Sequence, residues 1–115
     1  MRVLVCGSRE WKDLQKIQAR LSQLPSDSVV IHGDCRGADR MAGDVAEALG
    51  FRVERYPADW VKLGKKAGPM RNTRMIEEGK PELGIAFHED FHHSTGTADC
   101  VRKMEAKGIP VEVIS

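Results

Sequence analysis

Residues 28–50 read SVVIHGDCRGADRMAGDVAEALG, and this stretch decides the fold class. Ser28 to His32 is a short apolar, β-branched run that stops at Gly33, which predicts a buried strand. From there the apolar residues fall at Ala38, Met41, Ala42, Val45, Ala46 and Leu49. Steps of three and four place them on one face of a helix, and Gly50 is its natural stop. Phe51 to Tyr56 predicts a further strand, closed by Pro57. Strand, glycine-flanked turn, helix and strand in about thirty residues make a βαβ unit, whose crossover sets the two strands parallel.

The pattern continues in both directions. Arg2 to Cys6 predicts a first buried strand ending at Gly7. Asp13 to Leu24 carries Leu14, Ile17, Leu21 and Leu24 at helical spacing, with Pro25 as terminator. Downstream, residues 57–68 read as irregular, around Pro57, Gly64 and Gly68. A helix is predicted from near Pro69, a residue suited to a first helical turn, to Gly79. Glu82 to Phe87 predicts a fourth strand and His88 to Thr95 a polar loop. A last helix opens at Gly96 or Thr97 and runs to Lys107, Gly108 caps it, and Pro110 to Ile114 predicts a fifth strand. Strict alternation of this kind implies an α/β, Rossmann-like, doubly wound parallel five-stranded sheet, with 3-2-1-4-5 as the expected strand order. Ligands of such sheets bind outside the carboxyl ends of the strands where the order reverses, here between strands one and four.

Composition sets bounds on this reading. The 115 residues suit one domain, 1–115, and 41% hydrophobic with 30% charged residues suits a packed core. A net charge of +1 gives no global field for nucleic acid or membrane. Apolar runs such as Val3 to Cys6 are far too short to span a bilayer, and the chain opens on a strand-like run rather than a signal peptide. Three cysteines, Cys6, Cys35 and Cys100, with no CxxC spacing, argue against a disulfide framework and a structural zinc, so a cytoplasmic location is expected. His88, His92, His93 and Cys100 have no recognised ligand spacing and read as a polar loop followed by a helical cysteine, so no metal site is expected.

Three loops at the expected switch point carry the chemistry. After strand one, Gly7 lets a backbone approach a ligand, Ser8 offers a hydroxyl and an N–H, and Arg9 offers a planar donor fork for phosphate. After strand two, Gly33, Asp34, Gly37 and Ala38 lead into the best helix, whose free N–H groups and dipole make an anion site. Asp39 either caps that helix or touches a ribose hydroxyl. The glycine spacing matches neither GxGxxG nor a Walker A loop. After strand four, Ser94, Thr95, Gly96 and Thr97 repeat the helix-start device, with Ser94 or Thr95 as a simple N-cap the other reading. Between Trp60 and Arg74 lie Lys62, Lys65, Lys66, Arg71 and Arg74, either a flap that neutralises phosphates or a solvated face. Trp11 and Trp60 either stack on a base or anchor their loops to the core.

These residues resemble the YspA-core family, a branch of the SLOG superfamily that also holds the Smf/DprA proteins and the Lonely Guy phosphoribohydrolases. The resemblance rests on CGSREW, IHGDCRGADRMA, PADWVKLGKKAGPMRNTRM and STGTADCVRKMEAKGIPV, in that order and over nearly the whole chain. It implies a Rossmann-like fold and the binding or processing of nucleotides or nucleotide-derived signals, often in phage-conflict settings. By position it implicates Gly7, Ser8 and Arg9, then Gly33, Gly37, Ala38 and Asp39, then Gly68, Arg71 and Asn72 of a GPxRN motif, and Gly96, Thr97 and Asp99. One departure matters. The Lonely Guy enzymes carry PGGxGTxxE with a catalytic glutamate; here His93 and Ser94 replace the glycine pair and Cys100 stands at the glutamate position.

The expected function is therefore binding, by sensing, carrying or sequestering, of a nucleotide-type small molecule. The alternative is N-glycosidic hydrolysis, with Asp39, Arg71 and Asp99 as candidates for acid–base work and charge stabilisation. Single-stranded nucleic acid is the least supported partner, resting on the basic segment and two tryptophans. A magnesium ion bridging a phosphate to Asp34 or Asp39 is compatible with the residues, although no metal motif requires it. Dimerisation through a helix face is equally compatible.

Overall fold

A computed structural model describes all residues, 1–115. The elements are β1 (Arg2–Gly7), α1 (Leu14–Leu21), β2 (Val29–His32), α2 (Ala38–Ala48), β3 (Arg52–Arg55), α3 (Trp60–Leu63), α4 (Ala67–Gly79), β4 (Leu83–Phe87), α5 (Gly96–Ala106) and β5 (Val111–Ile114). The five strands form one sheet in the order β3-β2-β1-β4-β5, parallel throughout, as the alternation predicts.

Strand β1 is central, paired with β2 on one side and β4 on the other. Its side chains alternate between the two faces. Val3 and Val5 join Ile17, Leu21, Ala42, Val45 and Ala46 under α1 and α2. Leu4 and Cys6 join Met75, Ile76, Cys100, Val101 and Met104 under α4 and α5. Both faces are covered, which is why the strands read as continuous apolar runs. No helix is long and apolar enough to cross a membrane.

The structure corrects the sequence reading at three places. Helix α1 ends at Leu21, not Leu24, because the Leu24 N–H bonds the Leu21 carbonyl in a tighter turn and its side chain still reaches the core. The segment read as irregular contains α3, capped by Asp59 accepting the Lys62 N–H (3.1 Å), and a 3-10 turn over Gly64–Lys66 that runs straight into α4 at Ala67. The loop after β4 contains a 3-10 turn at Phe91–His93.

Candidate functional site

The carboxyl ends of β1 and β4 and the loop after β2 open into one crevice of about 800 Å³, lined by 22 residues of which five are hydrophobic. A lining this polar suits a polar, charged ligand rather than an apolar one.

Its floor is a close approach of three backbones. A Cβ on Gly7 would run into the Phe87 carbonyl and stand 2.7 Å from the Ala38 Cβ, so only glycine fits there. Ser8 follows, and all its polar groups are engaged: its N–H donates to the Phe87 carbonyl (2.9 Å), its carbonyl accepts from Ala38 (3.0 Å) and Trp11 (3.3 Å), and its hydroxyl donates to Glu89 (2.6 Å). Ser8 therefore shapes the loop and does not offer the free donors expected of it. Gly37 has φ +81° and ψ −129°, a conformation costly for any side chain, and a Cβ there would strike the Ser8 carbonyl.

The start of α2 is consequently not the open anion site that its sequence suggests. The Ala38 N–H is taken by Ser8 and the Arg40 N–H by the Cys35 carbonyl (3.1 Å). Asp39 folds the preceding loop onto itself, its Oδ2 accepting the N–H groups of Gly33 (3.1 Å) and Cys35 (3.3 Å). Its Oδ1 has no partner within the protein and is left open at the crevice. Burial pushes the Asp39 pKa up to about 6, outweighing the opposing pull of the Arg71 charge and the two amides.

Helix α4 organises the site. Gly68, Arg71 and Asn72 stand at i, i+3 and i+4, so they share one face. Arg71 is 9% exposed; its Nη1 donates to the Gly33 carbonyl and its Nε to Asn72 Oδ1 (3.0 Å), while Nη2 has no partner in the protein. A Cβ on Gly33 would overlap that guanidinium, so this glycine makes room for it. Asn72 crosses to α5, its Nδ2 donating to the Gly96 carbonyl (3.3 Å) and Asp99 Oδ2 (3.1 Å). The ring edge of Trp60 lies against Gly68, and the Arg9 guanidinium stacks on the indole at 5.2 Å.

Helix α5 begins without a side-chain cap; neither Ser94 nor Thr95 fills that role, and the Ser94 hydroxyl donates to the Phe91 carbonyl (2.7 Å) instead. The first helical bond is from Asp99 N–H to Thr95 (2.9 Å), so the amides of Gly96, Thr97 and Ala98 lie ahead of it with no intrahelical partner. Ser94, Thr95, Gly96 and Thr97 all line the crevice. Uncapped amides with the helix dipole behind them attract an anion. Arg9, Lys65, Arg71 and Arg102 surround the same space, and His93, whose pKa is raised by its bond to Asp90, lines it too. Asp99 accepts from Asn72 and pairs with Arg102 (2.9 Å) and Lys103 (3.0 Å), which ties α4 to α5.

Six of the expected ligand-binding residues do not line the crevice. Trp11 is 6% exposed, packed on Phe87, with its indole N–H donating to the Asp13 carbonyl (2.9 Å); it is a core anchor. Gly33, Gly37 and Ala38 act one step back, by making room for Arg71 and by packing the first loop. Asp34 pairs with Arg40 (3.3 Å), away from the lining. Lys66 is exposed on the 3-10 turn, and Lys65 takes the place at the rim. Asp34 is tied to Arg40, Asp39 Oδ2 accepts from two amides while its Oδ1 stays free, and no group of three His, Cys, Asp or Glu side chains converges to hold a metal ion.

Sequence reasoning missed Cys6, Cys100, His88, His93 and Arg102, which also line the crevice. Cys6 and His88 were within reach, because they border the carboxyl ends of the first and fourth strands. Cys100 and Arg102 needed the helix rotation. The neighbouring Cys100 thiol and burial push the Cys6 thiol well above its usual range.

Fold and crevice together define a Rossmann-like domain with an uncapped helix start at the switch point. The profile of the YspA, cpYpsA-related SLOG family (YAcAr) matches residues 1–62, and the chain belongs to that family. It is 40% identical over 119 residues to the Gene 61 protein of Mycobacterium phage D29, covering 96% of this chain and 93% of that protein. Its fold is similar to that of DNA processing protein A (DprA) from Streptococcus pneumoniae, with a TM-score of 0.78 and 19% identity. That likeness covers 99% of this chain and 50% of DprA, so the chain spans about half the length of that protein.

Proposed function

We propose that the crevice binds a nucleotide or nucleotide-derived small molecule, with a phosphate at the start of α5. One observation carries this reading: the uncapped amides of Gly96 and Thr97 share a crevice with the buried, partly unpartnered guanidinium of Arg71. A helix N-terminus and a buried arginine converging on one space form a phosphate site. Trp60, 45% exposed with the Arg9 guanidinium stacked over its ring, supplies a flat wall suited to a base. The protein then senses, carries or sequesters its ligand. The free thiols at Cys6, Cys35 and Cys100 are in keeping with the reducing cytoplasm, and a phage-encoded relative is in keeping with phage conflict.

Native mass spectrometry of the protein purified from cells tests this directly. A retained nucleotide-sized mass supports the reading and identifies the ligand. Calorimetry against ribonucleoside mono-, di- and triphosphates follows, and absence of binding across that panel, with no retained mass, refutes it.

A hydrolytic second reading rests on Asp39, whose pKa of about 6 suits a general acid or base near neutral pH. Release of free base from a nucleoside monophosphate, abolished by Asp39→Asn, would establish it. Binding without base release would leave the protein a binder.

A further inference from the structure

Asp39 is an unusual wall for a phosphate crevice. Its side chain is 6% exposed, and only one of its two oxygens is used by the protein. The free Oδ1 is open to the crevice, so a ligand that displaces water from it must offer this oxygen a hydrogen-bond donor or pay for leaving it bare. The crevice side chains near a phosphate are donors themselves, and a phosphate would be repelled by Asp39, so the group that meets Oδ1 is an uncharged donor on another part of the ligand. The second carboxylate in the lining, Asp99, is already saturated by Asn72, Arg102 and Lys103.

The layout of α4 says which part of the ligand that is. Asn72 leads to the α5 start, where the phosphate sits; Gly68 leads to Trp60, the flat wall. Arg71, on the same face, leads to the Gly33 carbonyl and the loop that Asp39 closes. In a nucleotide the sugar joins phosphate to base, and its hydroxyls are the donors there. We propose that Asp39 reads a sugar hydroxyl, so that the crevice takes ribonucleotides in preference to their deoxy counterparts. This rests on the nucleotide reading above.

The test is calorimetry with matched 5′-phosphates of ribose, 2′-deoxyribose and 3′-deoxyribose nucleosides, on the wild-type protein and on Asp39→Asn. An asparagine must turn its oxygen to the Gly33 and Cys35 amides, which leaves an NH₂ group in place of Oδ1. For the wild type, one deoxy form is expected to bind at least about tenfold more weakly than the ribose form, the size of one charge-assisted bond. In Asp39→Asn that ratio shrinks while circular dichroism stays unchanged. Equal affinity for all three sugars overturns the proposal and leaves nucleotide binding intact, and this arm needs no variant to fold. A full ratio retained in Asp39→Asn overturns the role of Asp39. Failure of every nucleotide to bind removes the nucleotide reading and this inference with it.

Discussion

Replacing Gly96 with alanine separates the fold from the site. Gly96 opens α5, its φ is not positive, and a Cβ built there meets nothing within 4 Å. Alanine restricts the unfolded chain more than glycine, so Gly96→Ala is expected to raise stability by about 0.4–1 kcal/mol. For a domain of this size that is a Tm increase of about 2–6 °C. In a helix the Cα–Cβ bond tilts towards the N-terminus, so the added methyl projects from the end that lines the crevice. It takes the space of a phosphate oxygen bonded to the first amides. Losing one charge-assisted hydrogen bond, about 1.5–3 kcal/mol, weakens binding roughly ten- to 150-fold. Calorimetry with the nucleotide ligand reads the second effect, and thermal unfolding by circular dichroism reads the first. A variant that melts no lower than wild type and binds with unchanged affinity would refute the placement of the phosphate at α5.

Trp60→Ala removes a side chain that is 45% exposed, so Tm should change little, while nucleotide affinity falls about tenfold or more through lost stacking and affinity for inorganic phosphate holds. Asp39 carries a pH dependence of stability. Its folded pKa of about 6 lies above the ordinary 3.8, so the folded state binds the proton more tightly, and stability is highest below pH 3.8 and declines as pH rises through 6. At about 1.4 kcal/mol for each tenfold change in proton affinity, the effect is on the order of 3 kcal/mol, and Asp39→Asn should melt higher than wild type at pH 7 but not at pH 4. His32 has the opposite sign: burial lowers its pKa to about 4, so its contribution is present above pH 6.5 and lost as pH falls through 4. Its ring proton resonances in NMR should titrate near pH 4; a midpoint at 6 or above would show that the ring is not buried as described.

Much of the fold was legible because a doubly wound sheet writes itself into short-range pattern. Runs such as Val3–Val5 and Val29–Ile31 are apolar at every position because both faces of the sheet are covered, and α2 shows its buried face at steps of three and four. The switch-point rule pointed to the strand ends where the crevice lies. What escaped was local. Residues 57–68 carry too few apolar positions to announce α3, and Lys65 and Lys66 look equivalent until the 3-10 turn sends only one to the rim.

The sequence by itself determined the element order, the strand order and the glycines that let β1 pass between β4 and α2, since these follow from periodicity, chain connectivity and the size of a side chain. Tertiary structure alone decided which helix start stays open. Two loops end in glycine-flanked helix starts of similar appearance, yet the Ser8 carbonyl closes the one at Ala38 and no group closes the one at Gly96. It also decided that Trp11 is core and Trp60 is wall, and that Asp99 is saturated while Asp39 keeps a free oxygen. The closure at Ala38 and the burial of Trp11 depend on partners thirty or more residues away in the chain, and the two aspartates on which way their loop or helix turns. Local pattern carries no record of either.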